Sequence, residues 1–467
     1  MSAGATEADR EARATPALDG LITDDQGPQV ANADDPAGIL RSGLLAGLDP
    51  GGLADRFGTP LYVYDLDLVD RQVDRLRAVL PEPVELAYAL KANPSLAVVA
   101  HLGRRGLGAD IASAGELATA LRAGIAPGSI VFTGPGKGEA ELALAVERGI
   151  RAVTVESPAE LERLERIAAA AARRVPVLLR AAVSDPARHE VVRLIGDEGA
   201  GKFGMDRSDL RHAARRAARS EHLELLGLHA FGASNVREAD VLAEHVAATV
   251  ALAVEVTREA GLPLRLVDAG GGLGIPYRAD EAPLDLAALG ARLTAQADRW
   301  RREPATRPMR LLLEPGRFLV GPAGAYLARV VDRKTVDGQA VAILDGGIHH
   351  LLRPALVGQE QRIHVFTLTP GGGGPLPAGE AAGSVTIAGP LCSGLDVLSR
   401  GAVTAHPAVG DLVAVLDAGA YGFTEAMPFF LSHPIPAEVV VVGGRAELVR
   451  PRLEPETWLG WQRDPGL

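Results

Sequence analysis

The chain is 467 residues long and 47% of those residues are hydrophobic, enough for two or three domains at roughly 150 residues each. Its glycines and prolines follow no short period, and no collagen-like or coiled-coil bias appears, which excludes fibrous proteins. The formal net charge of −11 argues against a nucleic-acid partner held by a basic surface. No apolar run of about 18 residues occurs, so we expect no membrane association.

The N-terminal segment differs from the rest of the chain. Residues 1–40 carry eight acidic and two basic residues and no aromatic ones. This composition predicts a disordered acidic tail. The tail lacks the apolar stretch of a signal peptide, and a single cysteine cannot form an internal disulfide. We therefore expect a reducing, cytoplasmic setting.

From about Pro60, short apolar runs alternate with helical patterns such as 138–149, 158–173 and 237–260. Eight strand-helix units over about 250 residues predict a closed (β/α)8 TIM barrel, of the α/β class, over residues 66–320 rather than a doubly wound sheet. The eight candidate strands end near Lys91, Asp110, Thr133, Glu156, Arg180, Phe231, Gly270 and Glu314.

Beyond about residue 320 the long helical periods disappear. Short β-like runs, separated by glycine and proline, predict a second, all-β domain. The early run PLYVYD precedes the first barrel helix, so we assign residues 41–65 together with 321–467 to this domain. The later runs are YLARVV, QAVAILD, RIHVFT, SVTIAG, LVAVLD and AEVVVVGG.

Lys91 closes the first barrel strand and is one of only four lysines in the chain. Catalytic side chains of such barrels lie at the C-terminal ends of the strands. Burial there would lower the pKa of the Lys91 ammonium, as an imine-forming lysine requires. The alternative is a lysine that reaches from the strand end to solvent.

Two further strand ends carry candidate binding groups. The run Gly270–Gly272 is either a tight turn or a backbone that can approach a phosphate closely. Glu314 and Arg317 follow the last barrel strand. They are either a solvated pair or groups that hold a cationic heteroaromatic nitrogen and an anion.

The remaining reactive residue types carry less information. A lone cysteine such as Cys392 is usually a buried packing residue. The doublet His349-His350 lacks the spacing that would place both rings on one helix face, so we expect a structural role. No zinc spacing, P-loop or G-x-S-x-G motif occurs, and we expect no metal site.

Together, seven motifs resemble those of the fold-type III pyridoxal phosphate decarboxylases, which include diaminopimelate and ornithine decarboxylases. The resemblance covers about residues 45–445 and implies a barrel plus a β-domain, working as a homodimer with active sites at the subunit interface. The motifs occur in the family's order: Ala-Leu-Lys91-Ala-Asn, Gly-Ala-Asp110-Ile-Ala-Ser-Ala-Gly-Glu116, Lys202-Phe-Gly-Met, Gly270-Gly-Gly, Glu314-Pro-Gly-Arg317, Cys392-x-x-x-Asp396 and Gly419-Ala-Tyr421-Gly.

The resemblance implies a role for each matching residue. Lys91 would bind pyridoxal 5'-phosphate as an imine, near Asp110, and Glu314 would keep its ring nitrogen protonated. Cys392 of the partner subunit would protonate Cα after CO₂ leaves. Phe231 stands where the family has a histidine that covers the ring. The implied phosphate-binding residues are Gly270, Gly271, Gly272, Ser234, Arg317 and Tyr421.

Departures from the family pattern concern the substrate. Ser393 replaces the acid that engages the substrate's distal ammonium in both decarboxylases, so free diaminopimelate, lysine and ornithine are disfavoured. Arg353 matches the distal arginine of the diaminopimelate enzymes, but Val357 replaces their tyrosine. We expect Arg317, Arg353, Ser393 and Phe430 to contact the substrate.

The segments Phe430-Leu-Ser-His433-Pro and Gly-Ile-Pro-Tyr277 resemble a subgroup from secondary-metabolite and exopolysaccharide clusters. Some of its members act on an amino acid joined to a carrier protein through a thioester. Our leading hypothesis is therefore decarboxylation at Cα of an amino acid that is carrier-bound or otherwise modified. The competing hypotheses are diaminopimelate decarboxylation in lysine biosynthesis, racemisation, and a non-catalytic paralogue that binds pyridoxal phosphate.

Overall fold

The computed structural model describes residues 49–182, 201–278, 280–366, 383–404 and 406–465. The predicted acidic tail, 1–40, lies outside the described residues. The first strand, β1 (Leu61–Asp65), precedes the barrel and belongs to a separate sheet. No helix in these ranges is both long enough and apolar enough to cross a membrane.

Eight parallel strands pair in chain order and form a closed barrel. The last strand pairs with the first, with Val84 opposite Leu311. The predicted (β/α)8 barrel is thus confirmed. Its strands are β2 (Val84–Ala89), β3 (Gly108–Ile111), β4 (Ile130–Phe132), β5 (Ala152–Val155), β6 (Val175–Ala181), β7 (Leu223–Ala230), β8 (Leu266–Asp268) and β9 (Arg310–Leu313).

The helices between the barrel strands pack around the barrel with their apolar faces on the strands, whereas Leu53 and Ala54 of the helix before β1 pack against the other sheet. Several begin at side-chain caps: Asp65 accepts from the backbone N–H of Leu68 at 2.9 Å, and Ser113 from that of Glu116 at 3.1 Å. The helices are α1 (Pro50–Phe57), α2 (Leu66–Val79), α3 (Leu96–Arg104), α4 (Ala114–Arg122), α5 (Glu139–Arg148), α6 (Pro158–Ala170), α7 (Arg207–Arg219), α8 (Ala239–Glu259), α9 (Leu286–Arg302), α10 (Arg317–Val320), α11 (Arg353–Val357) and α12 (Pro455–Leu459).

The barrel interior is filled by side chains rather than solvent. Strands on all sides of the barrel contribute to one small buried cluster, so these side chains meet across its centre. The cluster consists of Ala87, Val131, Ala152, Leu178, Leu266 and Leu312. The barrel is therefore a rigid support, and the groups at its strand ends are held on a packed floor.

A nine-stranded sheet forms the second, all-β part, as predicted. Besides β1, its strands are β10 (Gly324–Val336), β11 (Gln339–Leu344), β12 (Ile363–Phe366), β13 (Gly383–Ala388), β14 (Val397–Thr404), β15 (Leu412–Val415), β16 (Ala437–Val442) and β17 (Arg445–Arg450). Strand β1 pairs antiparallel with β10 and parallel with β16, which confirms that PLYVYD joins this sheet. Division of the chain at residues 66 and 320 stays a prediction.

Two of these strands, β14 and β17, were not predicted. Their sequences, VLSRGAVT and RAELVR, contain arginines and lack a continuous apolar run. Both lie at the ends of the sheet order, and most of β17 is exposed. Such edge strands keep few apolar side chains, so hydrophobic patterning does not find them.

Candidate active site

Lys91 lies just past the end of β2, in a short helical turn over Leu90–Ala92. Its Nζ donates a hydrogen bond to Asp110 Oδ2 at 2.7 Å, and the other oxygen of Asp110 accepts one from Thr133 Oγ1 at 2.6 Å. The Lys91 side chain is 42% exposed, whereas that of Asp110 is buried. The lysine is thus held by a buried carboxyl group and remains accessible at the barrel mouth.

The pKa of Lys91 shifts in the direction opposite to our expectation. Desolvation lowers the pKa, but the charges of Asp110 and Glu314 outweigh it and raise the pKa above its usual range. The prediction of a lowered pKa was wrong because strand periodicity does not show that two carboxyl groups converge on this ammonium.

Glu314 follows β9 and meets two other buried polar groups, His229 of β7 and Asp268 of β8. One imidazole nitrogen of His229 and one carboxyl oxygen from each of the two acids lie within 4.8 Å of one another. His229 Nε2 is 3.7 Å from Glu314 Oε2. Among the described residues, Glu314 Oε1 has no hydrogen-bond partner. A buried acid with one unpaired oxygen can accept a hydrogen bond from a bound group.

The two carboxyl groups of this cluster have pKa values shifted in opposite directions. Burial alone would raise the pKa of Glu314, but His229 and Lys91 lower it. Burial and the Glu314 charge raise the pKa of Asp268 well above its usual range. The site therefore favours the ionised form of Glu314 and the protonated form of Asp268.

The glycine run after β8 is a tight turn that also brings two strand ends close together. Gly270 and Gly272 have φ values of 65° and 89°. A Cβ added to Gly271 would lie 2.2 Å from the backbone oxygen of Glu314, so no other residue fits there. Phe231 lies next to the run, because a Cβ on Gly270 would come within 2.7 Å of its ring.

Arg317 begins α10 and connects several predicted binding residues. Its Nη1 donates to the hydroxyl of Tyr277 at 2.5 Å, and its Nη2 donates to Ser234 Oγ at 3.3 Å. The guanidinium lies 4.7 Å from the centre of the Tyr421 ring. Nε of this buried arginine has no acceptor in the part of the chain that the structure describes. The buried, positively charged guanidinium of Arg317 can therefore still bind an anion.

Arg353 begins α11, and its guanidinium also stacks near Tyr421, 4.3 Å from the ring centre. It is paired with Glu425: Nε lies 2.7 Å from Oε2, and Nη2 donates to Oε1 at 3.1 Å. The backbone N–H of Tyr421, a residue with a φ of 53°, donates to the oxygen of Ala92 at 2.7 Å. This bond fixes the Tyr421 segment beside the lysine turn.

Cys392 lies on an exposed loop between β13 and β14. Cys392 is thus not the buried packing residue that a lone cysteine usually is. Asp396 holds the loop by accepting from the backbone N–H groups of Leu391 at 2.7 Å and Ile348 at 2.8 Å. The loop is thus shaped by hydrogen bonds, while the thiol is left free to meet another molecule.

Three predicted site residues, Cys392, Ser393 and Phe430, take no part in the described contacts among the groups at the barrel mouth. Within the described ranges, no hydrogen bond or ion pair joins them to Lys91 or Glu314. Ser393 is half-buried, and Phe430 is 42% exposed. The structure brings together the residues predicted to bind the cofactor, whereas these three residues join none of the contacts among them.

Three residues of the site, His229, Asp268 and Glu425, were not predicted from the sequence. His229 and Asp268 lie at the C-terminal ends of β7 and β8, so strand-end position was a usable signal for both. Glu425 follows the Tyr421 motif in a short turn, and nothing in its local sequence indicates that it contacts Arg353.

Comparison with known proteins places these features in a family. Residues 66–321 match the model of the pyridoxal-dependent decarboxylases, pyridoxal binding domain. The chain is 32% identical over 406 residues to the L-glutamyl-[BtrI acyl-carrier protein] decarboxylase of Niallia circulans, covering 85% of this chain and 92% of that protein. It is 33% identical over 401 residues to the diaminopimelate decarboxylase of Neisseria meningitidis, covering 86% and 94%.

Solved structures agree with this assignment. The crystal structure of diaminopimelate decarboxylase from M. jannaschi matches with a TM-score of 0.80 and 28% identity, over 90% of this chain and 95% of that one. The structure of AQ1208 from Aquifex aeolicus matches with a TM-score of 0.75 and 30% identity, over 89% and 94%.

The donor set fits pyridoxal phosphate. The unpaired oxygen of Glu314 suits a protonated ring nitrogen, the accessible Lys91 suits the cofactor aldehyde, and the unpaired Nε of Arg317 lies among hydroxyl groups that suit a phosphate. Fold, site and sequence similarity lead to one conclusion: the chain belongs to the pyridoxal-dependent decarboxylases and uses pyridoxal phosphate to decarboxylate an amino acid.

Proposed function

We propose that this enzyme removes the Cα carboxylate of an amino acid whose distal end is uncharged because it is held as a thioester on a carrier protein. One observation carries the proposal: Ser393 occupies the position of the acid that engages the distal ammonium in the diaminopimelate and ornithine enzymes. The Niallia circulans relative, described as acting on an L-glutamyl carrier protein, makes the glutamyl thioester the first substrate to test.

An uncharged distal group is favoured because removing a charged group from water costs free energy. A substrate ammonium that enters a closed site needs a carboxylate to replace its water, and the Ser393 hydroxyl cannot supply that charge. Val357, where the diaminopimelate enzymes have a tyrosine, adds an apolar surface. A neutral thioester carries no charge to desolvate, so it suits this pair of residues better than a free diamine does.

In this proposal the barrel mouth holds the cofactor. Lys91 binds its aldehyde carbon, with Asp110 fixing the lysine, and Phe231 covers the ring. Bound pyridoxal phosphate supplies an electron sink for the electrons left at Cα when CO₂ departs. Glu314, ionised and buried, holds the ring-nitrogen proton. The phosphate is held by Gly270, Gly271, Gly272, Ser234, Arg317 and Tyr421.

Cys392 supplies the proton that replaces CO₂ at Cα. Its thiol is exposed on a loop of the β-sheet domain and makes no link to Lys91 within the described single chain. We therefore infer that a second copy of the chain delivers it, in a homodimer with shared active sites. Ser393 and Phe430 of the same surface then contact the substrate, together with Arg317 and Arg353. The single cysteine supports a cytoplasmic setting.

Diaminopimelate decarboxylation is the second candidate, because Arg353 is present and diaminopimelate decarboxylases are among the relatives. Racemisation and a purely cofactor-binding role have less support. A racemase of this fold type resembles the present chain less, because it has arginine in place of Glu314. A non-catalytic paralogue would have no need to retain both Lys91 and Cys392.

The two decarboxylase candidates are separated by replacing Ser393. We expect the native holoenzyme to release little CO₂ from free meso-diaminopimelate, and Ser393→Glu to raise kcat/KM by roughly tenfold or more because it restores a partner for the distal ammonium. Ser393→Ala is the matched control, since it removes the hydroxyl without adding charge, and it should remain as slow as the native protein. Comparable rapid turnover by the native protein and Ser393→Glu would contradict the proposal.

A further inference from the structure

The proposed function places Arg353 against the substrate but gives no role to Glu425, with which Arg353 is paired. The Arg353 side chain is 7% exposed and that of Glu425 is 29% exposed. Two nitrogens of the guanidinium face the two oxygens of the carboxylate, at 2.7 Å and 3.1 Å. The positive charge of Arg353 is thereby neutralised inside the chain.

This pair lies next to the residues that surround the reacting centre. The Arg353 guanidinium is 4.3 Å from the Tyr421 ring centre, and Arg317 is 4.7 Å from the same centre. The backbone N–H of Tyr421 bonds to the oxygen of Ala92, the residue after Lys91. A continuous set of contacts therefore runs from the lysine to the Arg353 pair.

The charges of Arg353 and Glu425 bear on which chemical groups at the distal end of a substrate can bind here. An arginine without an internal partner would bind a substrate carboxylate through two parallel hydrogen bonds. Here such a carboxylate would have to displace Glu425 or lie beside it, and like charges repel. Glu425 accepts a hydrogen bond from Nη2 and lies 2.7 Å from Nε without accepting one there, so the guanidinium is charge-paired but can still donate to an uncharged carbonyl oxygen.

We propose that Glu425 is a specificity-determining residue, which occupies Arg353 and makes the distal end of the site select a neutral carbonyl, as in a thioester or amide, over a free carboxylate. The inference deepens the proposed function and rests on its assignment of Arg353 to the substrate's distal end. It explains how the chain can keep an arginine there and still accept an uncharged substrate.

The test compares Glu425→Gln with the native holoenzyme by isothermal titration calorimetry. The ligands are glutarate and its monoamide glutaramate, with adipate and adipamate as a longer pair. None has an amine, so binding is measured without turnover. Glutamine retains the shape of Glu425 and an acceptor for Nη2 but removes the charge. We expect the native protein to favour the monoamides, and the variant to shift the dicarboxylate-to-monoamide affinity ratio by roughly tenfold towards the dicarboxylates.

Two further variants test whether the shift in the affinity ratio depends on Arg353 and on the position of Glu425. Arg353→Gln/Glu425→Gln should lose the gain, because the arginine that captures the carboxylate is gone. Glu85→Gln is the matched control: the Glu85 side chain is 28% exposed and also pairs with arginine, but it lies on β2 away from Tyr421. It should show the native ratio.

An unchanged ratio in Glu425→Gln, or no detectable binding of any of the four ligands by that variant, would overturn the assignment of Glu425. No carrier protein enters this titration. A shifted ratio combined with failure to decarboxylate any carrier-bound amino acid would instead overturn the proposed function and leave the role of Glu425 standing.

Discussion

Asp268 and Glu314 are two buried carboxyl groups at neighbouring strand ends, yet their pKa values are shifted in opposite directions. Glu314 is held ionised by His229 and Lys91, whereas Asp268 has its pKa raised by burial and by the Glu314 charge. Asp268 Oδ1 accepts from the backbone N–H of Gly270 at 2.9 Å. A protonated Asp268 can thus donate to Glu314 and fix its orientation while also holding the glycine turn.

This arrangement predicts that Asp268→Asn is tolerated. The amide keeps an acceptor for Gly270 and a donor for Glu314, so the holoenzyme should retain its visible cofactor absorbance and its midpoint in urea. Asp268→Ala removes both groups and should cost about 1 to 3 kcal/mol of unfolding free energy and weaken cofactor retention. If Asp268→Asn were as damaging as Asp268→Ala, Asp268 would have to be ionised in the native protein.

At the scale of secondary-structure elements, the sequence predicted all eight barrel strands. Those strands are mostly apolar, and most of them end at a polar residue such as Lys91 or Glu314. The local sequence pattern did not predict properties of a residue that depend on side chains far from it in the chain. The Lys91 pKa depends on Asp110 and Glu314, and the state of Arg353 depends on a glutamate 72 residues away. Edge strands β14 and β17 were missed because partial exposure relaxes their pattern.

The segment after β11 carries a histidine doublet that is buried in the structure. His350 is held by the Tyr326 hydroxyl and the oxygen of Pro434, each 3.0 Å away. The tilted ring of His349 packs against it with ring centres 3.7 Å apart, and the two ring nitrogens of His349 have no partner among the described residues. His433 lies 4.9 Å from His349, so the doublet packs against the Phe430–His433 segment.

This packing predicts a loss of stability in mild acid. Burial lowers the pKa of His349 from 6.5 to about 4. The unfolded chain therefore binds the proton more readily between these pH values, and the unfolding free energy falls as the pH falls through this range, by at most about 3 kcal/mol. Urea titrations from pH 7 to pH 4 measure the slope.

The slope should be smaller in His349→Phe, which cannot bind a proton. His212→Phe is the control, because it replaces an exposed histidine on α7 and should leave the slope as in the native protein. Equal slopes in the native protein and His349→Phe would show that His349 does not carry the acid sensitivity.

In the whole molecule, the exposed Cys392 loop belongs to the β-sheet domain, whereas Lys91 and the residues around it belong to the barrel. A dimer with shared sites predicts complementation between inactive variants. Lys91→Ala and Cys392→Ala should each be inactive alone. When the two variants are dissociated gently and mixed in equal amounts, about half of the dimers that re-form are heterodimers. Each heterodimer has one native site out of two, so about a quarter of native activity should return.

Controls for the mixing experiment follow from the same geometry. Mixing Lys91→Ala with the inactive Lys91→Ala/Cys392→Ala double variant should restore nothing, because no pairing provides an intact lysine. If mixed dimers form, as shown by native mass spectrometry, and activity stays absent, then Cys392 does not act across the subunit interface.

The most direct measurement is CO₂ release by the purified holoenzyme with L-glutamate loaded as a thioester on a carrier protein, run beside free L-glutamate and free meso-diaminopimelate at equal concentration. We expect rapid release from the carrier-bound substrate and at most slow release from the two free amino acids. Rapid release from free meso-diaminopimelate, with none from the carrier-bound amino acid, would contradict it.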